Sequence, residues 1–455
     1  MMKATGFIIA SMLILLFLLS SGWCQPQAPL DDEEAEFEAP DIVVGQRDIP
    51  DRETICSEVL NNARFTISHQ FSYKTKSPRK VVTNRLALQM KWEQLFGESY
   101  YFLLDGKTTL FTGNDHQSEA DDEDYEIRTR LREGYIQASF GRLNMKVGKQ
   151  IVVWGESEGA VVTDVVSPRD LSEFFFTTLE ESRIGQTMVS VNLFSWASQW
   201  TLLINPDPRT VEEPDRRTEY YLELWDTDLF EVIEEEPDET DTELSFRWKR
   251  TFGKSDVSIM LAHLTENQPV FRFTGLTSTD KFMLIKEYGS LKMAGVTANL
   301  SRGKFLWKCE LAYKSDRSFQ SLSLAGNIDP AEKDTIDAAL GLEYNANGAY
   351  FVLLEASNQL IRDWSDDIQG TRRNQSNLYG SWSKLFIYDT LTLGYSFYYQ
   401  IQDRDSFHKV NLSYGFTDNF MGSLEYGHLY VRDKDSLLWN FRDQNRITVE
   451  LEYHF

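Results

Sequence analysis

The sequence predicts an all-β protein, a transmembrane antiparallel barrel of about 18 strands, and three observations carry that prediction. The chain ends on ten residues in strict polar/apolar alternation: Ile447, Val449, Leu451, Tyr453 and Phe455 share one face, and Arg446, Thr448, Glu450, Glu452 and His454 share the other. Successive side chains of a strand point to opposite sides, so this run has one face for lipid and one for water. Many period-two runs of the same kind precede it, and an apolar amino-terminal run fits export from the cytoplasm.

In chain order, Lys3 supplies a positive start, residues 7–19 are almost continuously apolar, and Ser20, Ser21 and Gly22 lead to a cleavage site near Cys24. Residues 1–24 are therefore expected to be a signal peptide. The alternative is a retained anchor, and the bulky Trp23 argues against lipidation of Cys24. Residues 25–60 follow as an acidic periplasmic segment that includes Asp31, Asp32, Glu33 and Glu34. Cleavage leaves Cys56 and Cys309, the second at a lipid-facing position of a strand, and these two are not expected to meet.

From residue 61 onward the expected unit is the barrel. Period-two runs bounded by turn residues lie near 63–75, 82–96, 99–112, 127–140, 143–154, 186–195, 198–205, 243–252 and 256–265. They continue near 289–301, 304–315, 336–345, 348–359, 375–387, 390–402, 406–416, 419–432 and 445–455. The connections give an independent check on the count. Short ones such as Gly97-Glu98, Gly141-Arg142, Arg302-Gly303 and Thr417-Asp418 follow even-numbered strands. Long ones, near 113–126, 155–185, 206–242, 266–288, 316–335, 360–374 and 433–444, follow odd-numbered strands. Short periplasmic turns alternating with long outer loops are the habit of outer-membrane barrels, and a miscounted strand would break the alternation; 16 or 20 strands remain the alternatives. Within 243–252, Leu244, Phe246 and Trp248 are set for lipid while Ser245, Arg247 and Lys249 are set for the lumen.

Composition agrees with this architecture. The mean hydropathy is only −0.40, as expected when lumen and outer loops are polar. The net charge of −24 excludes a nucleic-acid partner, whose phosphates need a basic surface. Much of the excess sits in the amino-terminal segment and in residues 212–243, read as a solvated loop without the spacing of a cation-binding loop. The six histidines lie singly and in no recognisable motif, so no catalytic group, metal or cofactor is assigned.

The fifth strand and the loop after it carry a denser pattern: Gly148, Lys149, Gln150, then Trp154 and Gly155, followed by Asp164, Ser167, Pro168, Asp170 and Leu171. This resembles an uncharacterised family of Gram-negative outer-membrane barrels with the signature G-[KR]-Q-x-x-x-W-G followed by D-x-x-[NS]-P-x-D-L. The resemblance covers about forty residues and implies a porin-like barrel, associated with export or uptake of hydrophobic compounds and with no agreed substrate.

Parity along that strand places Gln150 and Trp154 toward the lumen if Ile151 and Val153 meet lipid. The loop 155–185 is long enough to fold inward and narrow the pore, with Pro168 fixing a turn and residues 169–174 forming a short helix. Gly155, Pro168 and Asp170 can equally serve only to shape that loop. Arg128, Arg130 and Arg132 place three guanidiniums on one strand face; facing the lumen opposite Glu156, Glu158, Asp164 or Asp170 they would set a transverse field, with Arg169 nearby. They could instead stand above the membrane against lipopolysaccharide. Phe455 is the expected assembly signal, read by the barrel assembly machinery. The functional expectation is an outer-membrane channel for a small or hydrophobic solute, working with lipid, lipopolysaccharide and a possible periplasmic or inner-membrane transport partner. The alternatives are an export component, a scaffold or conduit around a periplasmic protein, and an outer-membrane enzyme.

Overall fold

A computed structural model describes residues 62–119, 124–222, 228–234, 242–322, 328–346, 349–434 and 436–455. The expected signal peptide, the acidic segment 25–60 and Cys56 lie outside the described residues. In chain order the strands are β1 (Ala63–Lys74), β2 (Val81–Phe96), β3 (Tyr100–Thr112), β4 (Tyr125–Phe140), β5 (Leu143–Gln150), β6 (Gln186–Ser195) and β7 (Ser198–Asn205). Then come β8 (Phe230–Glu234), β9 (Glu243–Phe252), β10 (Ser255–Thr265), β11 (Val270–Leu276), β12 (Phe282–Glu287), β13 (Ser290–Arg302) and β14 (Phe305–Leu322). The last are β15 (Ile328–Asn345), β16 (Tyr350–Ile361), β17 (Asn374–Phe386), β18 (Leu391–Gln400), β19 (Asp405–Gly415), β20 (Phe420–Tyr430) and β21 (Arg446–His454).

All except β8, β11 and β12 form one 18-stranded antiparallel sheet. It closes where β1 meets β21, in register from Thr66↔His454 to Lys74↔Arg446. Closure leaves no edge, so every strand finds partners within an apolar layer that offers no water to its backbone. The alternation read from sequence is realised: Leu244 is 49% exposed on the outer wall and Ser245 only 3% exposed on the inner one. At the short-turn end the outer face carries an aromatic girdle, with Phe305 and Tyr344 ring centroids 4.9 Å apart and Tyr453 and Phe455 4.7 Å apart. Cys309 is a free, exposed thiol in β14.

Three expectations need correction. The fifth strand stops at Gln150 rather than at 154. The stretch 316–335, expected as a loop, is largely strand: β14 and β15 run 18 residues each and pair beyond a bulge at Lys314/Arg317, through Arg317↔Lys333 to Leu322↔Ile328. Its polar side chains hid it, since this upper hairpin needs no lipid-facing alternation. The loops 206–242 and 266–288 supply a separate three-stranded sheet, in which β12 pairs parallel with β8 and antiparallel with β11. The barrel wall is thus uneven, lowest at the eight-residue strands β5 and β7 and tallest at β14–β15.

Candidate functional site: the segment that crosses the lumen

The chain leaves the wall after Gln150 because side chains take its next backbone donors. Ile151 N donates to the Glu133 carboxylate (2.9 Å), Val152 N to Ser167 Oγ (2.9 Å) and Trp154 N to Asp164 Oδ1 (3.0 Å). Ile151 and Val153 therefore do not meet lipid, contrary to the sequence expectation. Val153 instead lines a space inside the barrel with Lys146, Asn192 and Arg247. Gln150 points inward as expected, but its amide donates to Met188 O (2.9 Å). Two motif glycines are required by close approach. Gly148 has φ +132°, and a Cβ there would lie 2.3 Å from Gly134 O; at Gly155 a Cβ would lie 2.8 Å from that of Asp164. Lys149, between them, stands opposite Thr187 of β6.

Residues 151–166 then run across the inner wall. Trp154, Val162, Val165 and Val166 bury themselves against inward-facing Met188 (β6), Leu203 (β7), Met260, Ala262 and Leu264 (β10), Leu291 and Met293 (β13), Ala312 (β14) and Ala339 (β15). Trp154 is 3% exposed, so it packs the segment rather than presenting itself to solute. Two carboxylates of the wall hold the segment's backbone. Glu310 of β14 accepts from Glu156 N (2.6 Å), Ser157 N, Thr163 N (3.1 Å) and Thr163 Oγ1 (2.7 Å). Glu355 of β16 accepts from Ser157 Oγ (3.0 Å), Glu158 N (2.9 Å) and Gly159 N (2.7 Å). Sequence reasoning missed both. The available signal was a charged residue at lumen parity in an otherwise lipophilic strand, Glu310 between Cys309 and Leu311 and Glu355 between Leu354 and Ala356.

Asp164 is the internal staple of the segment. Besides Trp154 N it accepts from Arg183 Nη2 (2.8 Å), Arg183 Nε (3.1 Å) and Arg169 Nη2 (3.3 Å). Pro168 follows a bend at 166–167, and the chain goes on extended rather than as the expected helix. Arg169 bridges Arg183, and Asp170 bridges Glu212 of the next long loop. Within residues 155–185 helical structure is confined to a single 3-10 turn, Phe174–Phe176. Those phenylalanines pack with Tyr220, Phe407, Leu429 and Phe441 on the opposite side of the barrel. Glu173, beside them, meets Arg85 (2.7 Å), His116 (3.0 Å), Gln117 (2.9 Å) and Arg446 (3.4 Å). Burial opposes its charge, yet Arg85, His116 and Arg446 together hold its carboxyl well below the usual range.

Of the arginine row of β4, Arg130 and Arg128 lie in register with lumen-facing Lys107 and Thr109, above a bulge at Asp105/Gly106 in which Arg132 is the extra residue. Of the expected partners Asp170 is met, and the other contacts of the row are with different residues. Arg130 reaches Asp170 (2.6 Å) and also Glu212; Arg128 pairs with Glu126 and donates to Gln117 O (2.6 Å); Arg132 lies 3.7 Å from Asp105. Glu156, Glu158 and Asp164 do not face the row, because the segment carries them toward β14 and β16 or folds them onto Arg183. Arg130 and Arg128 thus tie loops to the wall, whereas Arg132 pairs within the wall, with Asp105 of β3. Burial raises the carboxyls of both Glu156 and Glu158 above their ordinary value, against the pull of Lys249 and Lys308 on the first and of Lys308 on the second.

The segment lies between two chambers. On the long-loop side a cavity of about 960 Å³ is lined by residues 159–162 and by β14–β17; on the short-turn side one of about 380 Å³ is lined by residues 150–154 and by β4–β7. Arg169 lines the larger chamber, as expected of a pore residue, but in its ion pair with Asp164.

Comparison with known proteins gives a family model described as a protein of unknown function (DUF1302), matching residues 63–202, a stretch that contains the signature and the whole crossing segment. No curated protein matches the chain. Among solved structures, OccAB1 of Acinetobacter baumannii aligns over 87% of this chain and 96% of its own, with TM-score 0.53 and 11% identity. Pseudomonas aeruginosa OccK2 (OpdF), solved in complex with glucuronate, aligns over 87% and 97%, with TM-score 0.51 and 10% identity. OpdL of the same organism aligns over 87% and 98%, with TM-score 0.50 and 11% identity. The fold is thus that of outer-membrane barrels.

Proposed function

We propose that this chain is an outer-membrane channel that passes a small solute through a lumen narrowed by residues 151–185, and that it acts by selective passage rather than by catalysis. The observation that carries the reading is the crossing segment itself: a closed barrel whose inner wall supplies two carboxylates and an apolar strip to hold one loop between two solvent chambers. A wall that served only as an anchor would not need to organise its lumen in this way. The same segment speaks against a sheath around a periplasmic protein, which needs an unobstructed bore. The signature residues Gly148, Gly155, Asp164 and Pro168 then have a common purpose, which is to turn the chain off β5 and fix its course; this supports kinship with the uncharacterised barrel family. Lipid and lipopolysaccharide are the expected surroundings, the assembly machinery is the expected reader of Phe455, and a periplasmic or inner-membrane transport component is the expected partner.

The test is reconstitution of the full chain in planar bilayers and in liposomes. Stepwise ion current and swelling in small neutral solutes are expected; a folded, heat-modifiable barrel that gives neither would overturn the reading.

A further inference from the structure

We infer that the larger chamber is a binding site for a neutral, hydroxyl-rich solute with one apolar face, of the class of short oligosaccharides. The inference rests on the channel reading and names what the channel admits. A volume of about 960 Å³ lies near the upper end of small-molecule sites, which run to about 1,000 Å³. Six charged residues line it, and all are paired within the lining: Lys314 with Asp337 (2.7 Å), Arg317 with Glu266 (3.0 Å) and Arg169 with Asp164 (3.3 Å). Arg183, which also binds Asp164, does not line the chamber. Lys314 is held further by Val161 O (3.3 Å). An ionised solute would have to break one of these pairs or stay uncompensated where water is partly excluded. A neutral one has no such penalty.

The rest of the polar lining consists of carboxamides and hydroxyls. Eight carboxamides face the chamber, among them Asn267, Gln268, Asn358, Gln359, Gln375 and Asn377. Gln320, Asn358 and Gln369 spend amide hydrogens on protein acceptors, and the others present a donor and an acceptor side by side, the complement of a hydroxyl that does both. Asn377 Oδ1 is buried in the chamber wall without a hydrogen-bond partner. Phe175, Phe271, Phe319 and Tyr398 add aromatic surface, against which the C–H face of a sugar ring can lie. Carboxamides recur in the smaller chamber, where Gln137, Asn144, Gln150, Asn192 and Gln199 stand with Lys146 and Arg247.

The experiment uses the full chain in planar bilayers, with maltotriose as the neutral probe and glucuronate as the charged one, and with Asn377→Leu and Gln359→Leu as variants. Maltotriose is expected to interrupt the ion current, and glucuronate to leave it untouched at the same concentration. Each variant should raise the half-blocking concentration about fivefold relative to its own open current, the equivalent of one neutral hydrogen bond of about 1 kcal/mol. A stronger block by glucuronate, no block by maltotriose, or a block unchanged in both variants would overturn the inference while leaving the channel intact. Absence of any current would overturn the channel reading instead; calorimetric titration of maltotriose into the detergent-solubilised protein then decides the chamber alone, heat of binding supporting it and no heat refuting it.

Discussion

Replacing Glu310 by alanine is the most direct way to release the crossing segment. In the native wall this carboxylate is 2% exposed and accepts from three backbone amides and one hydroxyl of residues 156–163. Hydrogen bonds to a charged group are worth about 1.5–3 kcal/mol each, and a buried donor left without a partner costs about 1–3 kcal/mol. The carboxylate's own desolvation opposes this, and water entering the vacated space recovers part of the loss. A net loss of about 2–4 kcal/mol remains, a factor of about 30–1,000 in the ratio of docked to undocked segment. Glu355 and the apolar strip around Trp154 still hold the segment, so Glu310→Ala alone should add brief high-conductance excursions. Glu310→Ala with Glu355→Ala should raise the mean single-channel conductance. The assay is single-channel recording, with heat-modifiable migration as the control for a closed barrel. A double variant that folds normally and conducts as the native channel does would refute the claim that these carboxylates hold a constriction.

Further outcomes follow from neighbouring contacts. Trp154→Ala removes a side chain buried among inward-facing residues of several strands, a truncation that costs about 3–5 kcal/mol, and should make the segment cleavable by protease added to folded barrels. Because burial raises Glu156 and Glu158, they take up protons earlier than exposed carboxylates as pH falls; reversal potentials should shift toward anions on mild acidification, and Glu156→Gln with Glu158→Gln should reduce the shift. Glu173 has the opposite sign: its depressed pKa gives stabilisation that is fully present above the ordinary glutamate value and lost only as pH falls through the depressed one, so Glu173→Gln should lower thermal stability at neutral pH and make little difference in strong acid. Deleting Phe455, whose backbone amide bonds Phe65 O (2.9 Å) across the closing seam, should lower the amount of assembled barrel in the membrane well beyond the loss of one aromatic contact; normal levels would refute its role as the assembly signal.

The barrel was legible in the sequence because two faces of different chemistry impose a period, and the period survives wherever a strand touches lipid. Leu244 to Trp248 and the terminal Ile447 to Phe455 could be assigned residue by residue for that reason. The same rule explains the misses. The upper halves of β14 and β15, with Ser318, Gln320, Asp329 and Lys333, carry polar residues on both faces, pack in part against β11 and show no alternation. At residues 151–154 the apolar, β-branched run Ile151-Val152-Val153-Trp154 reads as a strand, but what decides the chain's course is long-range: Glu133, Asp164 and Ser167 capture the amides that a ninth β5 residue would need.

The site was legible in a different sense. The signature identified which residues matter and misjudged what they do, since parity can place Trp154 or Asp164 inside a barrel without saying whether it meets solute or protein. Motif residues of this segment are largely consumed by one another: Asp164 by Trp154, Arg169 and Arg183, Gly155 by Asp164, and Asp170 by Arg130. Most of the residues left to face solute come from β14 to β17 and the loops above them, where no motif is visible. A recurrent segment that builds the obstruction, set in a wall free to vary, would let one architecture admit different solutes. On that argument, transferring the lining residues of β16 and β17 between two such barrels should transfer most of the solute preference, whereas exchanging their crossing segments should change conductance more than preference.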